Sequence, residues 1–168
     1  GNGYAITAVI GRREVMEVAQ STFISSTFWT ERIGSVAALK TLEIMGTERS
    51  WEKITQTGLD ITNRWKELAK KYNLSITTSG LPALTCFNFK SANALAYKTL
   101  ITQEMQARGY LAGNSVYVCT AHSNEIISDF FEQLDPIFGL IEECEEGERD
   151  VKTLLKGPIC HGGFKRLN

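Results

Sequence analysis

An α/β fold follows from three features of the sequence. These are a β-prone apolar run at residues 4–10, two long helical stretches between Glu31 and Tyr72, and short strands alternating with helices from Ser75 to Glu143. The 168 residues suffice for one well-buried core, or for a small domain plus a piece of a neighbouring one. Hydrophobic residues make up 43% and charged residues 22%, so a packed core is expected rather than a disordered tail.

Taken in order, Tyr4 to Ile10 is almost uniformly apolar and reads as a strand buried on both faces of a parallel sheet. It follows Gly1-Asn2-Gly3, a turn sequence with no initiator methionine, which suggests that further chain precedes it. Gly11 turns the strand into a short helix over Arg13–Gln20, and Ser21–Thr30 forms a loop rich in hydroxyls and aromatics. From Glu31 onward, Ile33, Val36, Ala37, Leu39, Leu42 and Ile44 keep helical spacing up to a break at Gly46-Thr47. In the next helix Trp51, Ile54, Leu59, Ile61, Trp65, Leu68 and Ala69 make an apolar stripe beside charged residues, the pattern of a helix half covered by core. Its tryptophans read as packing residues. Strands are predicted at Ser75–Thr78, Ala83–Phe89 and Ser115–Thr120, with helices at Leu95–Arg108 and Ser123–Glu143. They describe a compact α/β or α+β domain with one sheet and helices on one face.

The net charge is −1, with 18 basic and 19 acidic residues scattered along the chain, so no field gathers nucleic acid or anionic lipid. No apolar run approaches the roughly 20 residues that cross a bilayer. Small-molecule chemistry in the cytoplasm is the expectation. Cys86, Cys119, Cys144 and Cys160 share no CxxC pair and read as reduced thiols, with neither a zinc site nor a disulfide framework. The acidic run Glu142-Glu143-Cys144-Glu145-Glu146 reads as a solvated helix end. Cys160 and His161 are neighbours whose side chains diverge in an extended segment, which argues against a dyad. His122, between a strand and a helix, suits a structural hydrogen bond.

One local feature invites a ligand. Ser25-Ser26-Thr27 presents hydroxyls ahead of a helix start, where unpaired backbone N–H groups suit a phosphate. Ordinary capping and turn formation would use the same residues.

The run Gly1-Asn2-Gly3-Tyr4-Ala5-Ile6, continued by Ala8-Val9-Ile10-Gly11 and Arg13-Glu14-Val15-Met16, resembles the segment after the cofactor lysine in class III, pyridoxal-phosphate-dependent aminotransferases. Phe23 to Gly34, followed by Ala37-Ala38-Leu39 and Thr41-Leu42-Glu43, is similar to that family's downstream phosphate-contacting loop and helix. Leu81-Pro82 before a strand and Ala121-His122-Ser123 before a helix resemble its C-terminal domain. The likeness is of the glutamate-1-semialdehyde aminomutase kind. It implies the C-terminal part of a fold-type I transferase, with residues 1–45 ending the large cofactor-binding domain and residues 46–168 forming the small α/β domain with its connecting helix. It also implies pyridoxal 5'-phosphate as cofactor, a Schiff-base lysine upstream of Gly1 and hence no catalytic residue in this chain, and a small amino compound as substrate. Thr27, with Ser26 beside it, would contact the cofactor phosphate of the partner subunit in a homodimer with a shared active site. Aminomutases of this kind carry a pocket-gating glutamate where this chain has the shorter Tyr110-Leu111-Ala112-Gly113-Asn114, so an aminotransferase acting on another amino compound fits as well. A free-standing, non-catalytic binding module is the alternative.

Overall fold

The computed structural model describes residues 2–24, 27–28 and 30–163. The chain divides into two compact units, Gly1–Ser50 and Trp51–Asn168.

In the first unit α1 (Arg13–Met16) leads into a single 3-10 segment, Glu17–Ser21, and α2 (Ile33–Glu48) follows after a loop. The strand expected over residues 4–10 does not form, and its large side chains are exposed. A strand exists only as one member of a hydrogen-bonded ladder, and the strands of the described residues all lie between Ile76 and Tyr117. The segment does approach α2 closely. At Gly34, in the first turn of that helix, an added Cβ would stand 2.3 Å from the Ala5 carbonyl oxygen. Only a residue without a side chain admits that contact. Helix α2 also runs past the break expected at Gly46 and stops at Arg49, whose φ is +49°. An interior glycine weakens a helix by about 1 kcal/mol but keeps its N–H donor, so it need not end one.

The second unit has its own core. Helix α3 (Ser50–Lys71) is followed by β1 (Ile76–Leu81), β2 (Leu84–Phe89), α4 (Ala94–Ala107), β3 (Ser115–Tyr117), α5 (Asn124–Glu145) and α6 (Val151–Leu154). The strands form a three-stranded antiparallel sheet in the order β1-β2-β3, not the parallel sheet anticipated for the N-terminal run. Strand β2 alternates strictly, with Thr85, Phe87 and Phe89 buried and Leu84 and Asn88 exposed. The helices therefore cover one face of the sheet.

Against that face Trp65 meets Phe87 at 4.7 Å between ring centroids, and Phe138 meets Phe87 at 5.9 Å and Phe89 at 5.5 Å. Leu100, Ile101 and Met105 of α4 and Leu134, Ile137 and Ile141 of α5 complete the cluster. Trp65 and Trp51 divide: the first is fully buried and the second is exposed. The buried Thr85 hydroxyl lies 2.7 Å from that of Thr62, which itself donates to the Gly58 carbonyl, so the one polar side chain inside this face of β2 is satisfied. Gly58 lets α3 pass the β1–β2 turn, since a Cβ there would fall 1.8 Å from the Pro82 carbonyl oxygen.

Strand β3 is shorter than expected. The Val118 amide still donates to Ala83, but the next amide, of Cys119, turns to the His122 ring and the ladder ends. Helix α5 starts at Ser123, whose hydroxyl accepts the Ile126 N–H at 3.3 Å. The short α6, which hydrophobic spacing did not reveal, is capped by Asp150 and buries Val151.

Candidate functional site

Two places have the residue types for a site, one in each unit. In the first unit Thr27 lies in an exposed bend, six positions before α2, while Ser25 and Ser26 lie outside the described residues. A short turn follows, closed by the Glu31 N–H donating to the Phe28 carbonyl at 2.7 Å. Arg32 occupies the N-cap of α2 and makes no side-chain cap. The backbone N–H groups of the first turn are therefore not served by a capping side chain. Thr27 is not the cap, and among the described residues no hydrogen bond engages its hydroxyl. A free hydroxyl and an uncapped helix start can each donate to an anion.

In the second unit a cavity of about 330 Å³ opens between the loop Tyr110–Gly113, strand β3 and the first two turns of α5. Ile61, Val116, Ile127 and Phe130 give it apolar walls, and Ser115, Tyr117 and His122 give it polar groups. Asn114 fixes the loop by donating through its amide to the Phe87 carbonyl at 2.8 Å, while its own carbonyl accepts the Phe87 N–H at 2.9 Å. Tyr110 is held by an edge contact to Phe130 at 5.7 Å and by donating its hydroxyl to the Asp129 carboxylate. That hydrogen bond raises the Tyr110 pKa above the ordinary phenol value and keeps its proton on. His122 has the structural role its position suggested. Its Nδ1 accepts the Cys119 N–H at 3.2 Å, which is the hydrogen bond of a neutral imidazole and leaves Nε2 as the donor. The Tyr110–Asp129 pair, 19 positions apart, has no local sequence signal; the glycine-bounded loop before β3 was the available hint.

A third polar cluster is structural. The buried Tyr97 donates to Glu145 at 2.5 Å, and Ser91 donates to the same oxygen at 2.6 Å, tying the start of α4 to the end of α5. Burial, aided by the Glu145 hydrogen bond, pushes the Tyr97 pKa up to about 12. The acidic run thus has a use beyond solvation, since Glu143 also pairs with Arg149 at 2.5 Å. Cys86, Cys119, Cys144 and Cys160 are free thiols, and the Cys160 thiol donates to the Leu95 carbonyl at 3.5 Å rather than facing His161. Among the described residues no group of three or more His, Cys, Asp or Glu side chains is placed to hold a metal ion. None of their helices is long and apolar enough to cross a membrane.

No protein-family model matches the chain. Its fold matches part of a pyridoxal-phosphate-dependent enzyme: FumI protein from Sphingopyxis sp. MTA144, solved in its PLP internal aldimine form, superposes with a TM-score of 0.71. That match covers 87% of this chain and 36% of FumI at 15% identity, so it speaks for the fold. The sequence narrows the class. The chain is 31% identical over 163 residues to 3-aminobutyryl-CoA aminotransferase of Cloacimonas acidaminovorans (strain Evry), spanning 92% of this chain and 36% of that protein, in its C-terminal part. The chain is a relative of the aminotransferases and spans about a third of the length of the one it matches.

Proposed function

We propose that the chain is the C-terminal part of a class III, pyridoxal-phosphate-dependent aminotransferase, working in the cytoplasm on a small amino compound. The observation that carries this reading is the 31% identity to an aminotransferase along nearly the whole chain. An aminotransferase is favoured over an aminomutase because the relative is one, and because Tyr110–Asn114 contains no carboxylate.

Bound to such a protein, pyridoxal phosphate supplies a reactive carbonyl and an electron-withdrawing ring. The residues of this chain suit its phosphate. Among the described residues nothing engages the Thr27 hydroxyl, and the N-cap residue of α2 makes no side-chain cap to the first-turn N–H groups, both of them donors to an anion. Ser26 is the second hydroxyl of this set. In a homodimer with a shared active site these donors serve the partner's cofactor, and each subunit by itself holds an incomplete phosphate site. The lysine that anchors the cofactor belongs to the preceding part of the enzyme, so residues 1–168 contribute binding and one wall of the substrate pocket rather than the covalent step.

Thr27→Ala in the intact enzyme tests the assignment. Loss of a charge-assisted hydrogen bond of roughly 1.5–3 kcal/mol weakens cofactor affinity by about ten-fold to a hundred-fold, with urea stability of the apo-enzyme unchanged. Unchanged affinity on titrating the apo-enzyme with pyridoxal phosphate would remove Thr27 from the site. Sedimentation equilibrium of the intact enzyme checks the dimer, and a fully active monomer would contradict both it and the role of Thr27.

A further inference from the structure

The cavity beside His122 carries information about what it can accept. At about 330 Å³ it lies at the small end of ligand sites, which run from roughly 300 to 1,000 Å³. No Lys, Arg, Asp or Glu side chain lines it. Its floor and walls, Ile61, Val116, Ile127 and Phe130, are hydrocarbon. Of its polar groups, Tyr110 has already committed its proton to Asp129, and His122 has Nδ1 committed to the Cys119 N–H. What remains is the His122 Nε2–H together with the hydroxyls of Ser115 and Tyr117, all of them neutral donors.

A free carboxylate entering this space would lose hydration without gaining a cation, and the Asp129 carboxylate behind Tyr110 would repel it. A short carbon chain ending in an uncharged carbonyl meets neither penalty, since its carbons are buried and its one acceptor can find the imidazole donor.

We propose that this cavity receives the uncharged acyl portion of the amino substrate, a short carbon chain held through a thioester or amide carbonyl, and discriminates against the free acid. The identity of the occupant as an amino substrate rests on the aminotransferase reading. The preference for neutral acyl groups rests on the lining alone.

The two are tested separately. Titrating the 168-residue chain with butyramide and with butyrate, which share a carbon skeleton and differ in charge, is read by amide chemical shifts at Gly113, Val116 and Ile127. Saturable shifts with butyramide and at least about ten-fold weaker binding of butyrate are expected. Ile126→Trp, placing a large side chain at an exposed position on the cavity rim, should abolish the butyramide response. Should that variant misfold, Val116→Phe fills the cavity from the β3 side. Equal binding of acid and amide, no saturable shift, or a response that survives filling overturns the proposal. If the intact protein with pyridoxal phosphate transfers no amino group while butyramide still titrates these amides, the functional reading falls and the neutral-acyl site stands.

Discussion

Leu39 on α2 and Leu100 on α4 are the same residue in the middle of helices of 16 and 14 residues, yet Leu39 is 69% exposed and Leu100 1%. The contrast extends to the whole of each unit. In the first, Tyr4, Val9, Ile10, Phe23, Val36 and Leu42 are all exposed, and among its described residues before Ser50 only Gly34 is buried. In the second, four helices and a sheet enclose a continuous cluster from Ile61 to Val151. Apolar composition is therefore a necessary condition for a core and not a sufficient one: among the described residues the large apolar side chains of α2 stay exposed, while α3 devotes one stripe to the core and leaves the rest to water.

The sharpest way to break the comparison is to damage the enclosed core. Phe138→Ala removes a fully buried ring that touches Phe87 and Phe89, and should cost about 3–5 kcal/mol, read as a lower urea midpoint for the second unit. A cost below about 1 kcal/mol would mean the cluster is not the source of stability.

Tyr97→Phe comes next. It deletes the hydroxyl that holds Glu145 and should cost about 1.5–3 kcal/mol at neutral pH. Because the folded pKa of Tyr97, about 12, lies above the ordinary phenol value of about 10, the stability linked to its proton is complete below about pH 10 and is lost as pH rises through 12. Chemical denaturation from pH 9 to 12 should therefore show a steeper alkaline loss in the wild type than in Tyr97→Phe. Identical slopes would remove Tyr97 from the account.

Glycines set the two units against each other directly. Gly58→Ala on α3 drives a Cβ into the Pro82 carbonyl and should cost about 1–3 kcal/mol. Gly46→Ala on α2 meets nothing within 4 Å and should gain about 0.5–1 kcal/mol of helix stability, visible as greater helicity by circular dichroism. The same substitution thus has opposite signs in two helix interiors. A cost at Gly46 would point to packing around α2.

What could be read from the sequence follows the same division. The helices and strands of the second unit were legible to within a few residues because their periodicity and their cover lie in the same stretch of chain: Trp65, Leu68 and Phe87 announce a core that the chain then closes. The strand at residues 4–10 was misread because its apolarity is satisfied by no ladder here, and the break at Gly46 because propensity weakens a helix without stopping it. At the sites, the His122 hydrogen bond followed from its junction position, whereas Tyr110–Asp129 and Tyr97–Glu145 depend on separations of 19 and 48 residues that no local pattern records. Thr27 was found through resemblance, its local composition fitting a helix cap equally well. In the structure the N-cap of α2 is Arg32, so Thr27 does not cap that helix.

The smallest expected effect is also the most direct test of the opening contrast. Leu39→Ala removes side-chain atoms that are already largely in water, so little transfer free energy is lost and no cavity is left. Alanine is also a slightly better helix former than leucine. The change in stability of the 168-residue chain should lie within about 0.5 kcal/mol of zero, whereas Leu100→Ala should cost about 2–5 kcal/mol in the same urea titration. A second readout gives the sign of what Leu39 does instead. If the exposed apolar side chains of α2 draw the chain to other protein, Leu39→Ala together with Leu42→Ala should lower self-association in sedimentation velocity while leaving the urea midpoint in place. A Leu39→Ala cost approaching that of Leu100→Ala would mean that α2 is enclosed within this chain after all, and the difference between the two units would disappear.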